Sequence, residues 1–247
     1  MRRVPLSCTL CLSVVFVLMQ STFVLAQDLT IAFGDDGSFS ARTLQLFALV
    51  TVLSLAPGIA IMVTCFPFLI TVLSILRQAI GLQQSPPNML IVSLALFLTY
   101  FIMEPVFTAA WEGGISPLLD ERIGPEQAFV QTIEPFRGFM VARIDPDTFF
   151  AMAELRPDTI DAKPTADAPL SVLVPSFLLS EISRAFQVGF LVFLPFLIID
   201  LVVAAILMSM GMMMVPPAIV SLPFKLAFFV VADGWSLLAS SLVRSYN

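Results

Sequence analysis

Long apolar blocks separated by short polar turns dominate the pattern of the chain. The blocks cover Leu44–Leu76, Met89–Ala110, Phe186–Leu207 and Ala218–Leu242. A helix needs about 20 apolar residues to cross a bilayer, and each block supplies that length. The pattern therefore predicts about four apolar membrane segments.

The first block is too long for one straight span. It is interrupted by Pro57-Gly58 and again by Pro67, so we expect two helical pieces. A polar turn from Arg77 to Asn88 follows, and Trp111, an aromatic suited to the membrane–water boundary, closes the second block. Residues 44–110 are thus predicted to form a first helical hairpin.

The N-terminus has the three parts of a secretory signal peptide. Arg2 and Arg3 form a positive region, Leu10–Leu18 an apolar region, and Val24–Ala26 a small-residue cleavage site before Gln27. We expect residues 1–26 to be cleaved and residues 27–247 to form a single membrane domain. An uncleaved first span is the alternative.

Residues 111–175 are the extended polar region and hold most of the eighteen acidic residues. Phenylalanines punctuate this region, so we expect short packed helices rather than a disordered linker. An exported N-terminus would place the Arg77 turn on the cytoplasmic side and this acidic region on the exported side. Residues 176–243 then form a second hairpin, whose methionine-rich turn faces the cytoplasm.

Composition supports this membrane assignment. The chain is 58% hydrophobic and 12% charged, with a mean hydropathy of +0.97, whereas soluble domains are about 25% charged. Backbone groups in lipid must pair within the protein, and alternation at period two is absent, so the predicted fold class is all-α and polytopic. The net charge of −6 argues against a nucleic-acid partner.

Metal and redox chemistry have little support in the sequence. The chain contains no histidine and three cysteines. Cys8 and Cys11 fall in the predicted signal peptide, and Cys65 stands alone in an apolar block, so no ligand set can be assembled. We predict no metal and no cofactor.

The turn between the last two blocks is rich in methionine. Taken alone, it is explained by adaptable packing, because methionine is flexible and fills irregular gaps. A ring of such turns from several subunits is the alternative, since an apolar constriction can close a pore by excluding water. Gly211 permits unusual backbone angles, and Pro216-Pro217 stiffen the exit from the turn. The methionines are Met208, Met210, Met212, Met213 and Met214.

Three ionisable residues interrupt the last two blocks: Asp200, Lys225 and Asp233. Asp200 and Lys225 lie at equal distances along the chain from the centre of the turn, so folding the hairpin brings them to one depth. We predict that they pair, because an unpaired charge at membrane depth is costly. Two independent charges facing a wet cavity or other subunits are the alternative. An aspartyl protease built on Asp200 and Asp233 is disfavoured, since Lys225 is better placed to neutralise one of them.

Glu181 and Arg184 lie three residues apart, on one helix face, just before the third block. They are interpreted either as a surface ion pair or as inter-subunit contacts, and spacing does not separate the two.

Two blocks of sequence resemble the FliP family. The first contains Arg77–Gly81, Pro86–Asn88 and Leu94–Thr99. The second is near-continuous over about sixty residues: Ser180–Ile182, Ala185–Gln187, Phe193–Val203, Met208–Pro217, Leu222–Leu226 and Asp233–Trp235. The resemblance covers roughly residues 44–243, and the acidic middle is its least distinctive part.

This resemblance implies a core membrane subunit of the flagellar type III export apparatus, which is not an enzyme. It implies a FliP homo-oligomer assembled with FliR, FliQ and other export-apparatus membrane proteins in the basal body, in the bacterial inner membrane. Unfolded flagellar proteins pass through this gate. The family's methionine loop forms a gasket, which maps onto Met208–Met214, and phenylalanines of the acidic region are expected to form a plug: Phe136, Phe149 and Phe150.

The chain departs from the family at one point. Family members commonly carry a basic residue where this chain has Thr64–Phe68, so a charge contact is not expected there. The family's bent hairpins also sit in an assembly raised largely above the bilayer, so the four segments need not all cross lipid. The corresponding subunit of a virulence injectisome, or a small-molecule or ion channel, remains an alternative.

Overall fold

The computed structural model describes residues 39–81, 87–212 and 214–246. The predicted signal peptide and Met213 lie outside the described residues. The chain divides into two compact units, residues 1–50 and 51–247. All regular structure within the described ranges is helical, which confirms the predicted all-α fold class.

The first hairpin contains α1 (Phe39–Met62), α2 (Phe66–Ile80) and α3 (Asn88–Ala110). The first apolar block forms two pieces, as predicted, but the expected break at Pro57-Gly58 is wrong, because Pro57 lies inside α1. The break falls instead just before Phe66. Pro67 occupies the first turn of α2, where its missing N–H has no helical partner to lose.

The acidic region consists of short helices, in agreement with the sequence. A π-helical turn, Trp111–Ile115, continues α3 and leads into α4 (Ser116–Leu119). Two further helices follow, α5 (Pro125–Arg143) and α6 (Pro146–Glu154). Proline in the first turn of α5 and α6 suits their N-termini.

The second hairpin begins with one 40-residue helix, α7 (Leu170–Ser209), which starts well before the third apolar block. The fourth apolar block is helical but is not one continuous helix. It forms α8 (Pro217–Val231) and α9 (Gly234–Arg244), which meet at an angle of 61°. Asp233, between them, has a left-handed backbone with φ of 47° and ends the continuous helix.

Three helical stretches are long and apolar enough to cross a membrane: Thr43–Met62, Asn88–Leu119 and Leu170–Ser209. The bent pair α8–α9 gives a fourth if it is counted as one span. The chain therefore has the helices of a multi-pass membrane protein.

Helix α2 lies at the centre of the second unit and packs most extensively against α7. Its buried face joins a hydrophobic core with residues of α3, α7, α8 and α9. Gly189 allows the close crossing of α7 over α2, because a Cβ there would lie 2.3 Å from Ile75 Cδ1. A second core forms where α5 and α6 meet the first half of α7.

Candidate functional site

The methionine turn begins with a Schellman motif at the end of α7. The Gly211 N–H donates to the Met208 carbonyl at 3.1 Å, and the Met212 N–H donates to the Leu207 carbonyl at 3.0 Å. A helix makes these two bonds when the residue that follows its C-cap has a left-handed backbone. Gly211 is that residue, with φ of +74°. Glycine is favoured there because it has no Cβ to clash in this backbone region.

The exit from the turn is fixed by two prolines. Pro216 occupies the N-cap position of α8, and Pro217 begins the helix. The four described methionines of the turn point away from the chain's own core, with exposed fractions from 38% for Met212 to 97% for Met214. The turn is thus held by its backbone and presents flexible apolar side chains outward.

Behind the turn, a polar network joins three helices. Lys225 Nζ donates to Asp200 Oδ2 at 2.6 Å and to the Ala79 carbonyl at 3.0 Å. Ser221 Oγ donates to Asp200 Oδ1 at 2.5 Å. Equal spacing from the turn predicts that Asp200 and Lys225 meet, and the structure brings them together across α7 and α8.

Sequence reasoning missed the other two members of this network. Ser221 lies four residues before Lys225, on the same helix face, and this spacing is the signal that would have found it. The Ala79 carbonyl belongs to the last turn of α2, where a cation is favourable because backbone carbonyls are unpaired. Lys225 and Ala79 are 146 residues apart, so no local sequence pattern indicates their contact.

Glu181 takes part in a second buried network. Spacing left two interpretations open for Glu181 and Arg184, and the surface ion pair is wrong because Glu181 is buried. Glu181 is 0% exposed, and its Oε1 accepts a bond from Arg143 Nε at 3.1 Å. Its Oε2 accepts a bond from the Tyr246 hydroxyl. The Arg143 guanidinium also lies over the Tyr246 ring, 3.9 Å from its centre, and donates to the Ser245 carbonyl.

This cluster joins α5, α7 and the C-terminal residues. Burial and the nearby Glu181 carboxylate raise the pKa of the Tyr246 hydroxyl. Because Glu181 is enclosed within its own chain, it is not available as a direct inter-subunit contact. Sequence missed Arg143 and Tyr246, since neither is near Glu181 along the chain.

The remaining charged candidates lie apart from these networks. Arg184 is half-buried, and its charge contributes to lowering the pKa of the Asp145 carboxyl, after the larger effect of the Thr148 hydrogen bonds. Asp233 is exposed at the bend between α8 and α9. Both oxygens of the Asp200 carboxylate accept hydrogen bonds, from Ser221 and from Lys225, which disfavours sharing a proton with Asp233.

The three candidate plug phenylalanines have different environments. Phe149 is 0% exposed and belongs to the second core. Phe136 is half-buried and lies against Phe107, with ring centres 6.0 Å apart. Phe150 is 45% exposed, so it has the largest free surface of the three.

Among the described residues, no group of three or more His, Cys, Asp or Glu side chains is placed to hold a metal ion.

The profile of the FliP family matches residues 49–242, which include the methionine turn and both ends of the charged network behind it. The chain belongs to the FliP family. The match extends over all of α2 to α8 and most of α9.

Several FliP-family relatives are similar over nearly their whole length. The flagellar biosynthetic protein FliP of Caulobacter vibrioides is 50% identical over 214 residues, which are 87% of this chain and 80% of the relative. The protein of the same name from Agrobacterium fabrum is 50% identical, covering 86% of this chain and 87% of the relative. That of Bacillus subtilis is 44% identical over 83% of this chain and 93% of the relative.

Proposed function

We propose that this chain is a core membrane subunit of the flagellar type III export gate, through which unfolded flagellar proteins cross the inner membrane. The observation that carries the proposal is the methionine turn. In a FliP-family chain, this turn has a fixed backbone, outward-facing apolar side chains and a polar network behind it. The chain is a transport component rather than an enzyme.

The methionine turn is proposed to act as a gasket. Its side chains find few partners in their own chain, so neighbouring copies or partner subunits are their natural contacts. Flexible, polarisable side chains can close around an irregular opening, and an apolar constriction excludes water and ions. One turn closes nothing alone, so the seal requires an assembly.

The proposed assembly contains a FliP homo-oligomer with FliR and FliQ and other export-apparatus membrane proteins in the basal body. The apolar outer faces of α7 and α8 support such contacts, because their large side chains are exposed in the single chain. Arg184 and Asp233 are proposed inter-subunit contacts. Phe136 and Phe150 are proposed to contribute to a plug on the exported side, with Phe149 holding their region in place from the second core.

Delivery to the inner membrane is proposed to use the N-terminal signal peptide, cleaved after Ala26. The injectisome and ion-channel alternatives gain no support from the relatives named above, which are flagellar biosynthetic proteins.

Deletion of the gene in its flagellated host tests the proposal. The expected result is loss of hook and filament proteins from the medium, with secretion restored by the intact gene on a plasmid. Normal secretion of both proteins by the deletion strain would overturn the proposed function.

A further inference from the structure

We propose that Ser221 is a positioning residue of the gate. Its hydroxyl fixes the Asp200 carboxylate so that Lys225 ties the methionine hairpin to the C-terminal end of α2. The inference rests on the proposed function and adds a residue and a mechanical link that the methionine turn alone does not include.

Each oxygen of the Asp200 carboxylate accepts from a different side chain. Asp200 Oδ1 accepts from Ser221 at 2.5 Å, and Oδ2 accepts from Lys225 at 2.6 Å. The Asp200 side chain is 37% exposed, whereas Lys225 is 7% exposed and Ser221 is fully buried. Without the serine, the carboxylate is free to turn toward its open side, because the terminal torsion of aspartate is broad.

Lys225 depends on this orientation for its second bond. Its ammonium reaches the Ala79 carbonyl at 3.0 Å, which satisfies one of the unpaired carbonyls at the end of α2. Asp200 lies eight residues before Met208 on the same helix, which is about 12 Å of helical rise. The network therefore fixes both arms of the turn against α2, the helix at the centre of the second unit.

The serine is expected to matter more for the closed gate than for folding. When Ser221 loses its hydroxyl, no buried donor is left without a partner, and water can reach the partly exposed Asp200 carboxylate. The chain should then fold and assemble normally, while the turn is held less firmly. This combination distinguishes a positioning residue from one that merely packs.

The test compares Ser221→Ala with Ser240→Ala in cells that carry the assembled gate. Ser240 is a matched control, because it is exposed on the second hairpin away from the methionine turn and donates to the Leu237 carbonyl of its own helix. The measurements are depolarisation of the cell membrane through the gate and the amount of assembled gate. Ser221→Ala should raise the leak about tenfold or more, as expected from loss of one hydrogen bond to a charged group, at unchanged gate amount.

Two further variants keep the result interpretable. Ser221→Cys preserves size and a weak donor, so it should leak less than Ser221→Ala. In an Asp200→Asn background, Ser221→Ala should add no further leak, because a residue that acts through Asp200 is non-additive with it. Additive leaks in the double variant would overturn the proposal.

Two other results would also overturn it: no leak in Ser221→Ala, or a leak that only follows a fall in assembled gate. Neither result bears on the proposed export function, which is tested separately by the deletion strain. If the deletion strain secretes normally, the export function itself has failed.

Discussion

The ammonium of Lys225 lies 2.6 Å from the carboxylate of Asp200, although 25 residues of chain and the methionine turn separate them. This pair lies between the two arms of the turn and fixes their relative depth. The partners differ in burial, since the Lys225 side chain is 7% exposed and that of Asp200 is 37% exposed. Because of this difference, replacing Asp200 and replacing Lys225 should reduce folding stability by different amounts.

Asp200→Leu should destabilise the chain more than Lys225→Leu. Asp200→Leu leaves a buried ammonium without its counter-charge, a cost of about 3–5 kcal/mol. Lys225→Leu leaves a carboxylate that reaches water and still bonds Ser221, which costs about 1–2 kcal/mol. Heating the purified protein in detergent and labelling the buried Cys65 thiol as it becomes accessible measures both.

The charge-swapped double variant, Asp200→Lys with Lys225→Asp, is the control. It should be more stable than Asp200→Lys alone or Lys225→Asp alone. It should be less stable than the parent, because the carboxylate placed at position 225 cannot donate to the Ala79 carbonyl. A double variant no better than the singles would show that direct pairing does not stabilise the hairpin.

Gly189→Ala should loosen the crossing of α2 and α7. The added methyl would meet Ile75, and overpacking of this kind costs about 1–3 kcal/mol. Ile75→Val removes the nearest atom and should restore part of the stability. Gly138→Ala is the matched control: nothing lies within 4 Å of its added Cβ, so stability should be unchanged or slightly higher. Equal losses at the two glycines would contradict the close crossing.

The folding stability of the chain should fall at alkaline pH, because the Tyr246 hydroxyl of the unfolded chain loses its proton there. Its folded pKa lies above the ordinary value of 10.0, because the hydroxyl is buried beside Glu181. The folded chain therefore holds this proton after the unfolded chain has lost it. The contribution is complete below pH 10.0 and is lost as the pH rises above it.

Thermal unfolding followed by circular dichroism between pH 8 and pH 11 checks this sign. Tyr246→Phe keeps the ring over Arg143 but removes the hydroxyl, so its stability should depend less steeply on pH than that of the parent. Parallel curves for the two proteins would rule out titration of Tyr246 as a cause of the alkaline loss.

Cleavage of the signal peptide predicts a thiol count. A mature chain that begins at Gln27 contains one cysteine, Cys65, whereas the uncleaved chain contains three. Labelling the denatured, purified protein with a maleimide and measuring its mass should give one adduct and a chain lacking residues 1–26. Three adducts on the full-length chain would favour the uncleaved first span.

The sequence alone predicts those features of the site that depend only on spacing along the chain. Equal spacing from the turn brings Asp200 and Lys225 to one depth in any hairpin, so their meeting was predictable. The left-handed glycine of the turn was likewise foreseeable, because Gly211 follows directly on the end of the apolar helix.

Contacts between distant segments were not predictable in this way. Arg184 offered Glu181 a partner three residues away, but tertiary packing brought Arg143 and Tyr246 to it instead. The bend at Asp233 was also not predicted, because the apolar pattern continues across Asp233 although the helix is interrupted there.

The proposed gasket is tested most directly by membrane leak through gates whose turn carries serine in place of methionine. Serine is placed at Met208, Met210, Met212 and Met214 together, and membrane depolarisation is measured alongside secretion and the amount of assembled gate. A large ion leak at normal assembly is expected, with secretion reduced only as far as the membrane potential falls. A gate that assembles normally and stays tight to ions with all four serines would contradict the gasket.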